Sequence, residues 1–250
     1  MEENLRETLM GGQSFSWSEK DGFFEAVLNE RVYRISGLED AAGDPFLHDY
    51  FSMDYDWEGA RKEIREKDSI LKEAVDSTGL IRLLHQDPWV TTISFILSQN
   101  NNIKRITGLY RRLSEKYGHE VESGYYSFPS PEELSRAAEE DLRALGTGFR
   151  APFIIDAVKN AGILQTLDML SFDEASLRLQ RIKGIGPKVA SCILVFSFQR
   201  MDGFPMDVWM KRVMKECYPG KDPSYFHPHE ALSQQYLFSW ARTHLQGGRE

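Results

Sequence analysis

Two side chains in this sequence, Lys188 and Asp207, are placed for covalent chemistry. Lys188 follows Gly184-Ile185-Gly186-Pro187, in which the glycines permit a tight turn and the proline suits the first position of a helix. The run reads as helix, hairpin, helix over about 173–199. The turn presents bare amides with a helix dipole behind them, an anion site of the kind that holds a nucleic-acid phosphate. That same dipole works against an ammonium one residue inside the helix, which makes Lys188 a candidate amine nucleophile. Asp207 could steady cationic charge and handle protons, or simply cap a helix running from Val208 to Tyr218. A hairpin with one lysine also serves DNA-binding modules that catalyse nothing, so this stretch alone leaves enzyme and module both open.

The elements that must position these residues fall into two parts. Phe15-Ser16-Trp17-Ser18, Phe23 to Leu28 and Arg31 to Ile35 alternate as strands do, with Asp21-Gly22 and Asn29-Glu30 as turns between them. From about residue 57 the apolar spacing turns helical, over 57–75, 79–86, 88–99, 102–117, 131–145, 150–162, 173–181, 187–199, 207–217 and 228–245. The expectation is an α+β protein, with a small antiparallel sheet domain over 1–78 and a mainly helical domain over 79–250.

A hydrophobic fraction of 41% in 250 residues suits a soluble globular chain. Met1-Glu2-Glu3-Asn4 lacks the basic start of a signal peptide, and no apolar run is long enough to span a bilayer, so an intracellular protein without membrane association is expected. Cys192 and Cys217 cannot supply four thiolates to an iron–sulfur cluster, and the six histidines show no metal-ligand spacing. Hence no metal and no cofactor are expected. The net charge of −8 is uneven: residues 1–80 hold 9 basic and 19 acidic side chains, residues 81–250 hold 21 and 19. Any face for a polyanion must therefore lie in the second part.

Four further runs accompany the hairpin and Asp207: Gly12-Gln13-Ser14-Phe15-Ser16-Trp17, Gln86-Asp87-Pro88-Trp89, Ser98 to Gly108 with its Asn100-Asn101-Asn102, and Leu145-Gly146-Thr147-Gly148-Phe149-Arg150-Ala151. Together and in this order they resemble the 8-oxoguanine DNA glycosylase family of the helix-hairpin-helix superfamily, over about Gly12 to Phe238. The resemblance implies a DNA glycosylase with lyase activity, acting on 8-oxoguanine opposite cytosine through a lysine Schiff base at Lys188, with Asp207 assisting. It implies that Asn100 helps fill the gap left by an extruded base, that Arg105 and Arg150 contact the orphaned cytosine, and that Phe149 is a wedge. Gly184 and Gly186 would belong to the DNA-binding hairpin. Cys192 and Phe238 would sandwich the damaged base, Gln234 would read its pairing edge, and the Gly12 carbonyl would detect the hydrogen that the oxidised base carries on N7. Phe149 stands where animal members have tyrosine and Trp209 where they have histidine, which suggests a bacterial-type member, cytoplasmic and nucleoid-associated. The expected partner is double-stranded DNA containing oxidised guanine, bound by a monomer. A same-fold glycosylase for another damaged base is the alternative enzyme.

Overall fold

A computed structural model describes residues 3–245. The chain opens with helix α1 (Leu5–Met10), capped by the Asn4 side chain, and enters an antiparallel sheet of order β1-β2-β3: β1 (Ser18–Lys20), β2 (Phe23–Leu28) and β3 (Arg31–Ile35). Asp21, Gly22, Asn29 and Glu30 all have positive φ, as two-residue turns matched to the strands' twist require. The first strand starts later than its sequence suggests. Phe15 and Trp17 lie buried in the approach to it, and the Trp17 indole donates to the Tyr50 hydroxyl at 2.8 Å. Helix α2 (Pro45–Tyr50), with Asp44 as cap and Pro45 at its first position, completes a small core of Leu9, Trp17, Tyr33, Leu47 and Phe51.

The helical body begins with α3 (Trp57–Lys67) and α4 (Ser69–Thr78). They form one period in sequence but break at Asp68, whose carboxylate accepts from the Ile70 and Leu71 amides and so starts a new helix. Trp57, Ile64, Leu71 and Val75 from this pair sit in the larger core. The helix expected over 79–86 does not form. That stretch is extended, because its backbone amides are taken by other parts of the fold: Arg82 by the Thr8 hydroxyl, Leu84 by the Gln13 side chain, His85 by the Tyr50 carbonyl and Gln86 by the Phe196 carbonyl. Its apolar spacing reflects burial of Leu80, Ile81, Leu83 and Leu84 on the seam between the two cores.

Next come α5 (Pro88–Ser98), α6 (Ile103–Tyr117) and a short hairpin of β4 (Glu120–Glu122) and β5 (Tyr125–Tyr126). The segment 131–145 divides into α7 (Pro131–Leu134) and α8 (Glu139–Ala144). Then follow α9 (Ala151–Lys159), α10 (Phe172–Leu179), α11 (Pro187–Phe198), α12 (Val208–Cys217) and α13 (Glu230–His244). Every residue from Val189 to Ser197 is buried, so α11 is a central helix, and it packs on α5 and α10. Among the described residues no helix is long and apolar enough to cross a membrane.

Candidate active site

The hairpin joins α10 to α11. Ile182 and Ile185 are buried and anchor it, the Ile185 amide closes the turn onto the Ile182 carbonyl at 3.1 Å, and the Lys183 amide is taken by the Asp156 carboxylate at 2.7 Å. Two amides expected to be bare are therefore engaged. The donors left for a phosphate come from Gly184, Gly186 and the first turn of α11. Gly184 has φ +87°, and a β-carbon there would lie 2.3 Å from Cγ of Phe153. Only glycine lets the turn lie this close on that ring.

Pro187 and Lys188 occupy the first turn of α11, and Cys192 lies one turn on. Lys188 Nζ is 5.3 Å from the ring centroid of Phe95, which stacks on Phe196. Lys188, Cys192 and Asp207 line one cavity of about 40 Å³ together with Gly12, Gln234 and Phe238. All six side chains and backbone positions singled out for base chemistry are thus assembled from four separate stretches of chain. Burial pushes the Cys192 thiol up, while nearby Lys188 pulls the other way. Burial likewise raises the Asp207 carboxyl above its usual range, against the Met210 amide, Lys188, the Trp209 amide and Arg242. Asp207 also caps α12 by accepting from the Met210 amide at 2.8 Å, so charge and cap reside in one carboxylate.

Gly12 reaches this cavity because its neighbour is clamped. The Gln13 side chain donates to the Arg82 carbonyl at 2.7 Å and accepts from the Leu84 amide at 2.9 Å, and Gln86 donates to the Gln13 carbonyl at 2.8 Å. Two of the sequence runs therefore meet, and the extended linker fastens the head's turn to the end of α11. Gly12 has φ +108°, and a β-carbon there would come 3.2 Å from Phe238 Cε1 and 3.4 Å from Ile103 Cδ1. With Phe238 against Gly12, the cavity has room for about three waters and not for a purine.

The remaining candidates form a second cluster. Asn100 is exposed, with φ +48°, in the loop between α5 and α6. Arg150 is 2% exposed, and its guanidinium donates to the carbonyls of Gln99 (2.9 Å from Nε), Thr147 (3.1 Å) and Asn100 (3.0 Å), with a further bond from Nη2 to Gln99. One hydrogen on Nη1 is left over. Arg150 therefore braces the loop that carries Asn100, and a cytosine meets it only at that hydrogen or by displacing a carbonyl. Arg105 is exposed and makes a single long contact to the Gly146 carbonyl at 3.4 Å, so its fork is available. Phe149 is 47% exposed, with the Arg150 guanidinium 4.3 Å from its ring centroid and Phe153 edge-on at 6.1 Å. Phe153 in turn lies under Gly184, so the exposed aromatic and the hairpin are linked through one ring.

Sequence reasoning passed over several wall residues: Phe95, Phe196, Pro205 and Gln235 line the cavity, and the Arg242 guanidinium sits 4.9 Å from the Phe238 ring centroid. Arg242 follows Phe238 by one helical turn, a spacing that was there to be read.

A glycine-containing hairpin with a lysine in the first turn of the following helix, a half-buried carboxylate and a cavity at the seam between the two cores suit a helix-hairpin-helix base excision DNA repair protein. Residues 93–235 match the model of the HhH-GPD superfamily base excision DNA repair protein, and residues 39–91 match the 8-oxoguanine DNA glycosylase N-terminal domain. The chain belongs to that superfamily, in its 8-oxoguanine DNA glycosylase family. Its structure is similar to that of MBOgg1 in complex with a low-affinity DNA ligand (TM-score 0.87, 35% identity, 96% of this chain and 92% of that one). It is also similar to the 8-oxoguanine glycosylase/lyase of Clostridium acetobutylicum (TM-score 0.86, 31% identity, 95% and 93%). The N-glycosylase/DNA lyase of Saccharomyces cerevisiae is 39% identical over 55% of this chain, a match that spans 42% of the yeast protein's own length.

Proposed function

We propose that this chain is a bifunctional DNA glycosylase with lyase activity that removes 8-oxoguanine opposite cytosine from double-stranded DNA, acting as a monomer. The observation that carries this reading is the convergence of Gly12, Lys188, Cys192, Asp207, Gln234 and Phe238 on one cavity. The hairpin amides hold a phosphate and Phe149 enters the stack, so the lesion is extruded at a cost of roughly a few kcal/mol, offset by contacts in the pocket. Phe238 swings off Gly12 and, with Cys192, sandwiches the base. The Lys188 amine attacks C1′ through its lone pair. The bond from C1′ to the base breaks, and the base leaves with the bonding pair and takes up a proton. Asp207 stabilises the developing positive charge on the sugar and takes the proton that the attacking amine sheds. Opening of the sugar ring gives the Schiff base, and loss of a C2′ proton then expels the 3′ phosphate. Excision and nicking measured on duplexes carrying 8-oxoguanine or guanine opposite cytosine test the reading; equal, negligible release from both would contradict it.

Lesion reading is assigned to Gly12. Guanine N7 is an acceptor, whereas the oxidised base bears a hydrogen there, so an inward backbone carbonyl gains a bond with one and faces an unpaired acceptor with the other, a difference of roughly 1–3 kcal/mol. Gly12→Ala adds a β-carbon at a φ of +108° and against Phe238. The expected result is loss of 8-oxoguanine excision with binding to an abasic-site duplex retained. Equal weakening on both duplexes would show that Gly12 serves only the fold.

Opposite-base reading is assigned chiefly to Arg105. Arg105→Ala removes donors suited to cytosine, worth about 1–3 kcal/mol, and should bring excision opposite cytosine down to the level opposite other bases. Arg150→Ala should instead lower excision opposite every base, because the Asn100 loop loses its brace. Excision rates against all four opposite bases separate the two; a uniform loss in the Arg105 variant would make it a phosphate contact.

A further inference from the structure

The cavity has a second amide that the family pattern gave no reason to single out. Gln235 is 2% exposed and lines the cavity beside Gln234, yet its Nε2 meets no hydrogen-bonding partner in the protein, and neither does the Oε1 of Gln234. Buried polar atoms are almost always paired, and a ligand that enters a cavity they line can supply the missing partner. Asp207 shares the cavity and accepts from the Met210 amide, and the Gln235 donor makes no bond to it. The pocket thus offers, side by side on α13, one uncommitted acceptor and one uncommitted donor.

That pair complements one kind of purine edge. A guanine-type base presents the keto oxygen O6 as an acceptor next to N1–H and the N2 amino group as donors, whereas an adenine-type base presents an amino donor at position 6 next to a bare N1 acceptor. We infer that Gln235 is a further specificity-determining residue, whose Nε2–H donates to O6 of the extruded base while Gln234 Oε1 accepts from N1–H or the N2 amino group. This rests on the base-excision reading above. It makes selection for guanine over adenine among oxidised purines a property of two adjacent carboxamides, separate from the reading of oxidation by Gly12. An adenine-type lesion would set donor against donor at Gln235 and acceptor against acceptor at Gln234.

The test uses the full chain and two variants, Gln235→Leu, which removes the donor, and Gln235→Glu, which keeps the shape and replaces the donor by an acceptor. Single-turnover excision is measured on duplexes with 8-oxoguanine or 8-oxoadenine, each opposite cytosine, together with strand cleavage at a preformed abasic site. Both variants should lose about tenfold to a hundredfold on 8-oxoguanine, with the preference over 8-oxoadenine shrinking by a similar factor and abasic-site cleavage unchanged. An unchanged preference in both variants overturns the inference, whether all rates persist or all fall together with abasic-site cleavage as a packing role would require. If the wild-type chain cleaves abasic sites but releases neither oxidised purine, the excision reading fails and the inference falls with it.

Discussion

Lys188→Gln is expected to abolish 8-oxoguanine excision and covalent adduct formation together, by more than about 10⁴-fold, while binding to a lesion duplex persists. Glutamine has similar length and polarity, so it fills the space beside Phe95 and Cys192 without a nucleophilic lone pair. The hairpin amides proposed to hold a phosphate and the buried anchors Ile182 and Ile185 lie outside the substitution. Loss of a nucleophile that also starts the lyase step removes both activities at once. Single-turnover excision and duplex binding, measured on the same preparation, check this; a variant that still releases base while losing only the adduct would make Lys188 a lyase residue and assign base release to another group.

Asp207→Asn should slow base release by roughly 10² to 10⁴-fold with little change in stability. Asparagine is as good a cap as aspartate, so the bond from the Met210 amide survives while the charge near the sugar is lost. Asp207→Ala removes the cap as well and should cost about 0.5–2 kcal/mol of stability on top of the same rate loss, measurable by denaturant unfolding. The pH dependence has a definite sign. Burial raises the Asp207 carboxyl, so the folded protein holds this proton to higher pH than the unfolded chain does. Its contribution to stability is therefore fully present below the unfolded value and is lost as pH rises through the folded one. Activity runs the other way, because the carboxylate is the working form: the rate should fall on acidification at a pH above that of an ordinary aspartate, before this residue gives any cause to unfold. A profile of rate against pH should show that acidic limb in the wild type and lack it in Asp207→Asn. An identical limb in both would assign the titration elsewhere.

Legibility in the sequence followed how local each feature is. The hairpin was readable because Gly184 and Pro187 state their own backbone geometry within four residues, and α2 carries the same kind of signal in Asp44-Pro45. The two strand turns were readable for the same reason. The stretch 79–86 misled because Leu80, Ile81, Leu83 and Leu84 are spaced as on a helix, while the partners that hold it extended, Thr8, Gln13, Tyr50 and Phe196, are far away in sequence. Arg150 shows the same limit at the site: the resemblance implied a contact to the orphaned cytosine, but its carbonyl partners Gln99 and Asn100 lie about fifty residues back. The convergence on the cavity was legible only through family resemblance, since no spacing rule brings Gly12 to Phe238. Gln235 lay outside the pattern and became visible only as a buried donor without a partner.

The central claim, that one lysine at the start of α11 is the nucleophile, is tested most directly by borohydride reduction during turnover of an 8-oxoguanine–cytosine duplex, followed by proteolysis and mass mapping of the modified peptide. The account predicts a stable protein–DNA adduct whose sugar remnant sits on Nζ of Lys188, with base release and adduct formation rising together. A remnant on any other amine, or base release with no adduct at all, would contradict it.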